Sequence, residues 1–286
     1  MNDLLLSAST KAAIDAYLQR PAHALGIVGS PGAGKRTLAY GIAEELLGVA
    51  LTENSPYFKL ISPEKNSISI EQAREIIQFT KLKTTGTSKI RRVIIIDSAD
   101  KMTREAQNAV LKVIEEPPED TAIILTVSSE QAILPTILSR LQTLVIATPL
   151  QDAAEAYFVS KGFEVAAITK AYVISNGAPG LMQAILGADD DHPLLEHIAQ
   201  AKTVLQSDTF QRLVMIDEII KSKQTNNVLY GLQQIAHSAL IAGSKANNSQ
   251  AVIRWQAILQ EAYTAREQLA QNTQAKLVLT NLLIRI

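Results

Sequence analysis

Cysteine is absent from the chain, which excludes disulfides and thiolate metal sites. Four histidines, His23, His192, His197 and His237, are scattered without ligand spacing, so zinc is not expected. An excess of either charge is lacking too: 27 basic against 28 acidic side chains leave a formal −1. So balanced a chain has no general electrostatic pull on nucleic acid, and any such contact must be local or shared with partners. No apolar run approaches the roughly 18 residues a spanning helix needs. The triplet Leu4 to Leu6 lacks the basic leader and cleavage site of a signal peptide. The expectation is a cytoplasmic protein without a membrane partner.

What is present is apolar mass, 47% of 286 residues, enough to bury a substantial core. Five β-rich runs, Leu25 to Gly29, Tyr57 to Ile61, Val93 to Asp97, Ala122 to Val127 and Thr143 to Ala147, alternate with amphipathic segments. That alternation predicts an α/β fold with a parallel sheet flanked by helices. After Pro149 the β-branched runs give way to helical spacing, broken at Asn176, Gly177, Pro179 and Gly180. A second break falls at Gly187 to Pro193, where Ala188-Asp189-Asp190-Asp191 reads as a polar linker. The expected domains are therefore 1–148, a small helical unit at 149–187 and a helical unit at 188–286. The last carries patterns such as Phe210, Leu213, Val214 and Ile216, then Leu277, Val278, Leu282 and Leu283.

Gly29-Ser30-Pro31-Gly32-Ala33-Gly34-Lys35 joins the first β-rich run to a helical run, Thr37 to Leu47. Strand, glycine loop and helix in that order form a P-loop, in which backbone N–H groups make an anion nest at a helix N-terminus. Gly29, Gly32, Gly34 and Lys35 are the candidate phosphate-binding residues, Lys35 reaching the β- and γ-phosphates. ATP is the expected cofactor, with Mg²⁺ carried by the nucleotide. The residue after the lysine should bear a hydroxyl for magnesium, and here it is Arg36. Thr37 stands one place later, turned by about 100° on a helix.

Arg91-Arg92-Val93-Ile94-Ile95-Ile96-Asp97 is an apolar run ending in an acid, the pattern of a Walker B strand. Asp97 is the candidate holder of the magnesium shell at the sheet's C-terminal edge. Its successor Ser98 is a poor general base. Asp100 reads equally as an acid at a helix start. Lys89, Arg91 and Arg92 read first as solvated charges guarding a sticky strand and second as phosphate contacts. Thr103 to Glu116 is expected as a helix with Ala106, Ala109, Val110, Val113 and Ile114 on its buried stripe, ended by Pro117-Pro118.

Three blocks then carry a resemblance: Ile96-Asp97-Ser98-Ala99-Asp100-Lys101-Met102, Asn108 to Pro118, and Leu134-Pro135-Thr136-Ile137-Leu138-Ser139-Arg140-Leu141-Gln142. Together they are similar to the delta-prime-type subunits of bacterial DNA polymerase III clamp loaders and, more broadly, to the clamp-loader branch of AAA+ proteins. The third block resembles the family's Ser-Arg-Cys signature, with Leu141 in place of cysteine. Near the end, Leu269-Ala270-Gln271-Asn272 and Lys276 to Leu283 look like the family's helical collar.

The resemblance implies an AAA+ P-loop sheet domain, a small helical lid and an all-helical collar through which five subunits assemble. It implies work in DNA replication with a sliding clamp, primed DNA and partner ATPase subunits. Arg140 would then be an arginine finger acting in trans on ATP held by a neighbour, and Ser128 would occupy the first sensor's place. Active AAA+ ATPases carry Glu where Ser98 stands and a lid arginine near Gly177-Ala178-Pro179-Gly180-Leu181, which has none. The expected role is that of a weakly catalytic or non-catalytic member of a hetero-oligomer. The alternative is a self-sufficient ATPase resembling the loader's gamma/tau motor subunit.

Overall fold

The structure, a computed structural model, describes residues 3–52, 55–64, 66–85, 87–187, 192–271 and 273–286. Two compact units divide the chain, Met1–Pro149 and Leu150–Ile286.

The first unit is built on five parallel strands: β1 (Ala24–Val28), β2 (Phe58–Ile61), β3 (Arg92–Ile96), β4 (Thr121–Val127) and β5 (Gln142–Val145). Their spatial order is β2-β3-β4-β1-β5. Each strand begins within one residue of its expected start, while β1 and β3 end one residue early and β5 two residues early. Gly29 and Asp97 are the residues that leave the sheet, although their N–H groups still reach Val127 O at 3.2 Å and Ile61 O at 2.8 Å. The chain leaves β1 for the far edge at β2, while β5 pairs on the other side of β1. A parallel sheet opens a crevice beyond the C-terminal ends of its strands at such a switch, and the glycine loop follows β1 there.

Continuous apolar strands arise because both sheet faces are covered. In β3, Ile94 and Ile96 enter the core shared with α3 (Ile70–Thr80) and α4 (Arg104–Glu115). The alternate residues Val93 and Ile95 enter the core shared with α1 (Ala8–Gln19) and α2 (Lys35–Leu47). Local chemistry fixes the helix starts. Ser69 and Gln72 form a reciprocal capping box on α3, and the Thr103 hydroxyl accepts the Ala106 N–H at the head of α4. The stripe expected on this helix is buried at Ala106, Val110, Val113 and Ile114, while Ala109 packs partly buried against the same core.

The basic cluster is corrected by its location. Arg92 stands at the start of β3, the sheet edge opposite the glycine loop, and is 2% exposed. Its guanidinium donates to the carbonyls of Thr80 and Leu82 at the end of α3 and lies 5.5 Å from the Phe79 ring. Arg91 pairs with Asp120 at 3.2 Å. Arg92 is thus an internal cap, and only Lys89 of the three is exposed.

The second unit is helical: α6 (Gln151–Ser160), α7 (Val165–Ser175), α8 (Pro179–Gly187), α9 (Pro193–Gln206), α10 (Thr209–Lys221), α11 (Thr225–Lys245), α12 (Ser249–Ala270) and α13 (Ala275–Arg285). Among its described residues there is no strand. The break at Asn176 is a left-handed C-cap of α7. The polar stretch Ala188 to Asp191 and Asn272 of the collar-like motif lie outside the described residues. Helices α9 to α13 supply a core that includes Ala201, Ile216, Leu232, Ala262, Leu279 and Leu283. Of the apolar pattern on α10, Ile216 is buried, whereas Phe210 is 75% and Val214 63% exposed.

Candidate functional site

The glycine loop takes its shape from two left-handed residues. Gly32 has φ 78° and Gly34 φ 83°, conformations that a side chain disfavours, and Gly34 caps the N-terminus of α2. Gly29 is needed for a different reason. A β-carbon there would stand 3.2 Å from Ile146 Cβ, so the start of the loop is packed against the residue that follows β5 (Gln142–Val145). Lys35, first residue of α2, folds back over this loop and donates to the carbonyls of Gly29 and Ser30, both at 2.9 Å. Burial pulls its ammonium down to about 8, against the opposing pull of the Asp100 and Asp97 carboxylates. Lysine, left-handed glycines and helix N-terminus lie together at this loop, a combination of backbone N–H groups and positive charge that suits a phosphate.

Asp97 sits beyond β3, with β4 between its strand and β1. Its Oδ1 accepts the Thr126 hydroxyl at 2.7 Å, and that same hydroxyl accepts the Ser98 N–H at 2.7 Å. The Oδ2 atom faces the Arg36 guanidinium at 3.8 Å. Arg36 also lies 5.9 Å from the ring of Tyr40, one helical turn further along α2. Thr37 is exposed on the first turn of the same helix. Asp100, in a short 3-10 turn at Ala99–Lys101, accepts the Ser128 N–H at 3.0 Å, tying the end of β4 to the acid-bearing segment. The fold therefore gathers Lys35, Arg36, Asp97 and, through Asp100, Ser128 at the C-terminal edge of the sheet.

These residues fit the phosphates of a nucleotide and fit a magnesium ion poorly. Magnesium seeks near-octahedral oxygen ligands at roughly 2.0–2.1 Å. The hydroxyl expected after Lys35 is a guanidinium, and one oxygen of Asp97 is engaged by Thr126 while the other faces that guanidinium. Among the described residues no group of three or more His, Cys, Asp or Glu is disposed to hold a metal ion.

Arg140 is placed elsewhere. It follows α5 (Pro135–Leu138), is exposed, and donates to Thr136 O at 2.8 Å while pairing with Glu115 Oε1 at 2.8 Å. Gln107 sets this segment in place. Buried on α4, it donates to the carbonyls of Met102 and Ala132 and accepts the Leu134 N–H at 2.7 Å, just before α5 begins.

Sequence reasoning missed Thr126 and Gln107. The signal for Thr126 was a lone hydroxyl inside the apolar run Ala122 to Val127. For Gln107 it was an amide beside the buried stripe of α4. Neither signal names its partner, since both partners lie far along the chain.

The sequence profile of the family described as DNA polymerase III, delta subunit matches residues 11–149. The Escherichia coli DNA polymerase III subunit delta' is 27% identical over 303 aligned positions, covering 92% of this chain and 88% of that protein. The Bacillus subtilis DNA polymerase III subunit delta' is 38% identical over 101 residues, 35% of this chain and 30% of its counterpart, so that match spans less than a third of the relative's length. Among solved structures, a DNA polymerase III gamma subunit-related protein of Thermotoga maritima aligns at 17% identity and TM-score 0.46, covering 96% of this chain and 97% of that one. Residues 11–149, which carry the glycine loop, Asp97 and Arg140, thus match the DNA polymerase III delta subunit family, and along nearly its whole length the chain is similar to a delta-prime subunit.

Proposed function

We propose that the chain is a delta-prime-like clamp-loader subunit of DNA polymerase III. In DNA replication it joins partner ATPase subunits in a hetero-pentamer and helps place a sliding clamp on primed DNA. Its contribution is Arg140, offered in trans to ATP held by a neighbouring subunit, while its own hydrolysis is weak or absent. In this reading residues 149–187 form the lid and 188–286 the collar.

The observation that carries the proposal is a contrast within the first unit. The parts needed for hydrolysis in cis are altered: Arg36 faces Asp97, and Ser98 stands where a base is required. Meanwhile Arg140 is exposed at the end of a short helix whose start is fixed by buried Gln107. Its partner Glu115 is 39% exposed, and such an ion pair contributes little and exchanges readily. The guanidinium is thus available to an incoming phosphate group, and an arginine finger contributes roughly 10³ to 10⁵ in rate to phosphoryl transfer.

The test reconstitutes the chain with partner ATPases, clamp and primed DNA. Arg140→Ala is expected to leave assembly intact and to lower turnover at the neighbouring site by at least about 100-fold. Unchanged turnover and clamp loading would remove the trans role. The intact loop with Lys35 favours a second reading, a self-sufficient ATPase, and its mark is turnover by the purified chain alone that Lys35→Ala abolishes.

A further inference from the structure

We propose that Arg36 stands in for the magnesium ion, so that the glycine loop takes the polyphosphate of a nucleoside di- or triphosphate without a divalent cation. This rests on the reading of Gly29 to Lys35 as a nucleotide loop and extends it to the cation requirement.

A magnesium ion in a P-loop offsets phosphate charge and is anchored by the hydroxyl after the lysine and by the acid of the neighbouring strand. In this chain the first anchor has been replaced by a cation on a tether. The second anchor faces that cation: Asp97 Oδ2 lies 3.8 Å from Arg36 Nη1, while Thr126 engages Oδ1 at 2.7 Å. The Tyr40 ring lies 5.9 Å from the guanidinium, so a carboxylate and an aromatic ring both neighbour it. It remains accessible, with the side chain 54% exposed. Guanidinium presents five N–H donors in a planar fork that matches phosphate oxygens, and one carboxylate oxygen does not exhaust them. A magnesium ion approaching Asp97 would meet this positive group first, and like charges repel. Lys35 and Arg36, adjacent on the first turn of α2, thus supply from the protein the positive charge that a metal would otherwise bring.

The full chain is titrated with ADP and with ATP, in excess magnesium and in EDTA, by calorimetry. Wild-type affinity is expected to change less than about 2-fold between the two conditions. Arg36→Thr, which restores a hydroxyl and removes the cation, is expected to bind at least about 10-fold more weakly in EDTA than in magnesium. Arg36→Lys, which keeps a tethered cation, is expected to follow the wild type. A wild-type affinity that collapses in EDTA would overturn the proposal, as would an Arg36→Thr variant as indifferent to magnesium as its parent. Absence of binding in both conditions would overturn the nucleotide reading of the loop together with this inference, and would leave the role of Arg140 to its own assay. Thermal unfolding of each variant identifies any that fails to fold, in which case the wild-type and Arg36→Lys titrations decide.

Discussion

Lys35 works against its surroundings. An ordinary lysine titrates near 10.5, and burial brings this one to about 8. Between those two values the unfolded chain holds a proton that the folded chain has released. Stability therefore rises with pH across that window, and below pH 8 the folded state carries the full cost of a buried ammonium. Lys35→Met is expected to raise stability at pH 7 by roughly 1–2 kcal/mol, a gain that fades between pH 8 and 10.5. Urea unfolding at pH 7 and at pH 10 checks both the sign and the fading. The cost falls on a lysine that folds back over the glycine loop, where its ammonium donates to the Gly29 and Ser30 carbonyls.

Among the elements, α9 and α11 approach closely at Gly231. A β-carbon added at Gly231 would lie 2.2 Å from the His197 carbonyl oxygen and 2.6 Å from Ala201 Cβ. Gly231 costs helix propensity on α11 and allows two backbones to meet. Gly231→Ala should therefore destabilise the second unit by roughly 2–4 kcal/mol despite alanine's better propensity. Calorimetric unfolding of the variant measures it, and an unchanged melting temperature would show that the helices separate freely. The α3 to β3 junction shows the same principle with charge: Arg92, read from sequence as a surface guard, became an internal cap because the end of α3 packs over the start of its strand. Strand and helix positions were legible because burial on two faces produces continuous apolar runs and because caps are local. Which helix meets which was not legible.

At the scale of the whole molecule, each unit has its own hydrophobic core. A fragment of residues 1–149 is expected to unfold cooperatively by itself and to retain the nucleotide affinity of the full chain, and a fragment of 150–286 to fold as a helical body. Circular dichroism and titration of the two fragments test this; a molten first fragment would contradict it. The exposed Phe210 and Val214 on α10 are sequence-legible apolar positions that the single chain does not bury.

The sequence by itself determined the glycine loop between strand and helix, the acid-ended strand, the sheet domain followed by helices, and the presence of Arg36 and Ser98 beside them. Those depend on neighbours in the chain: backbone conformation at glycines, period-two burial, and capping within three or four residues. Tertiary structure decided that Arg36 faces Asp97, that Thr126 rather than a residue near it orients that carboxylate, and that Gln107 fixes the segment leading to Arg140. Each of these joins residues brought together by strand order or helix packing, and strand order is chosen by the folded core as a whole. The loop's glycines and lysine were therefore written locally, while the facing of Arg36 and Asp97 depends on how the strands are ordered in the sheet.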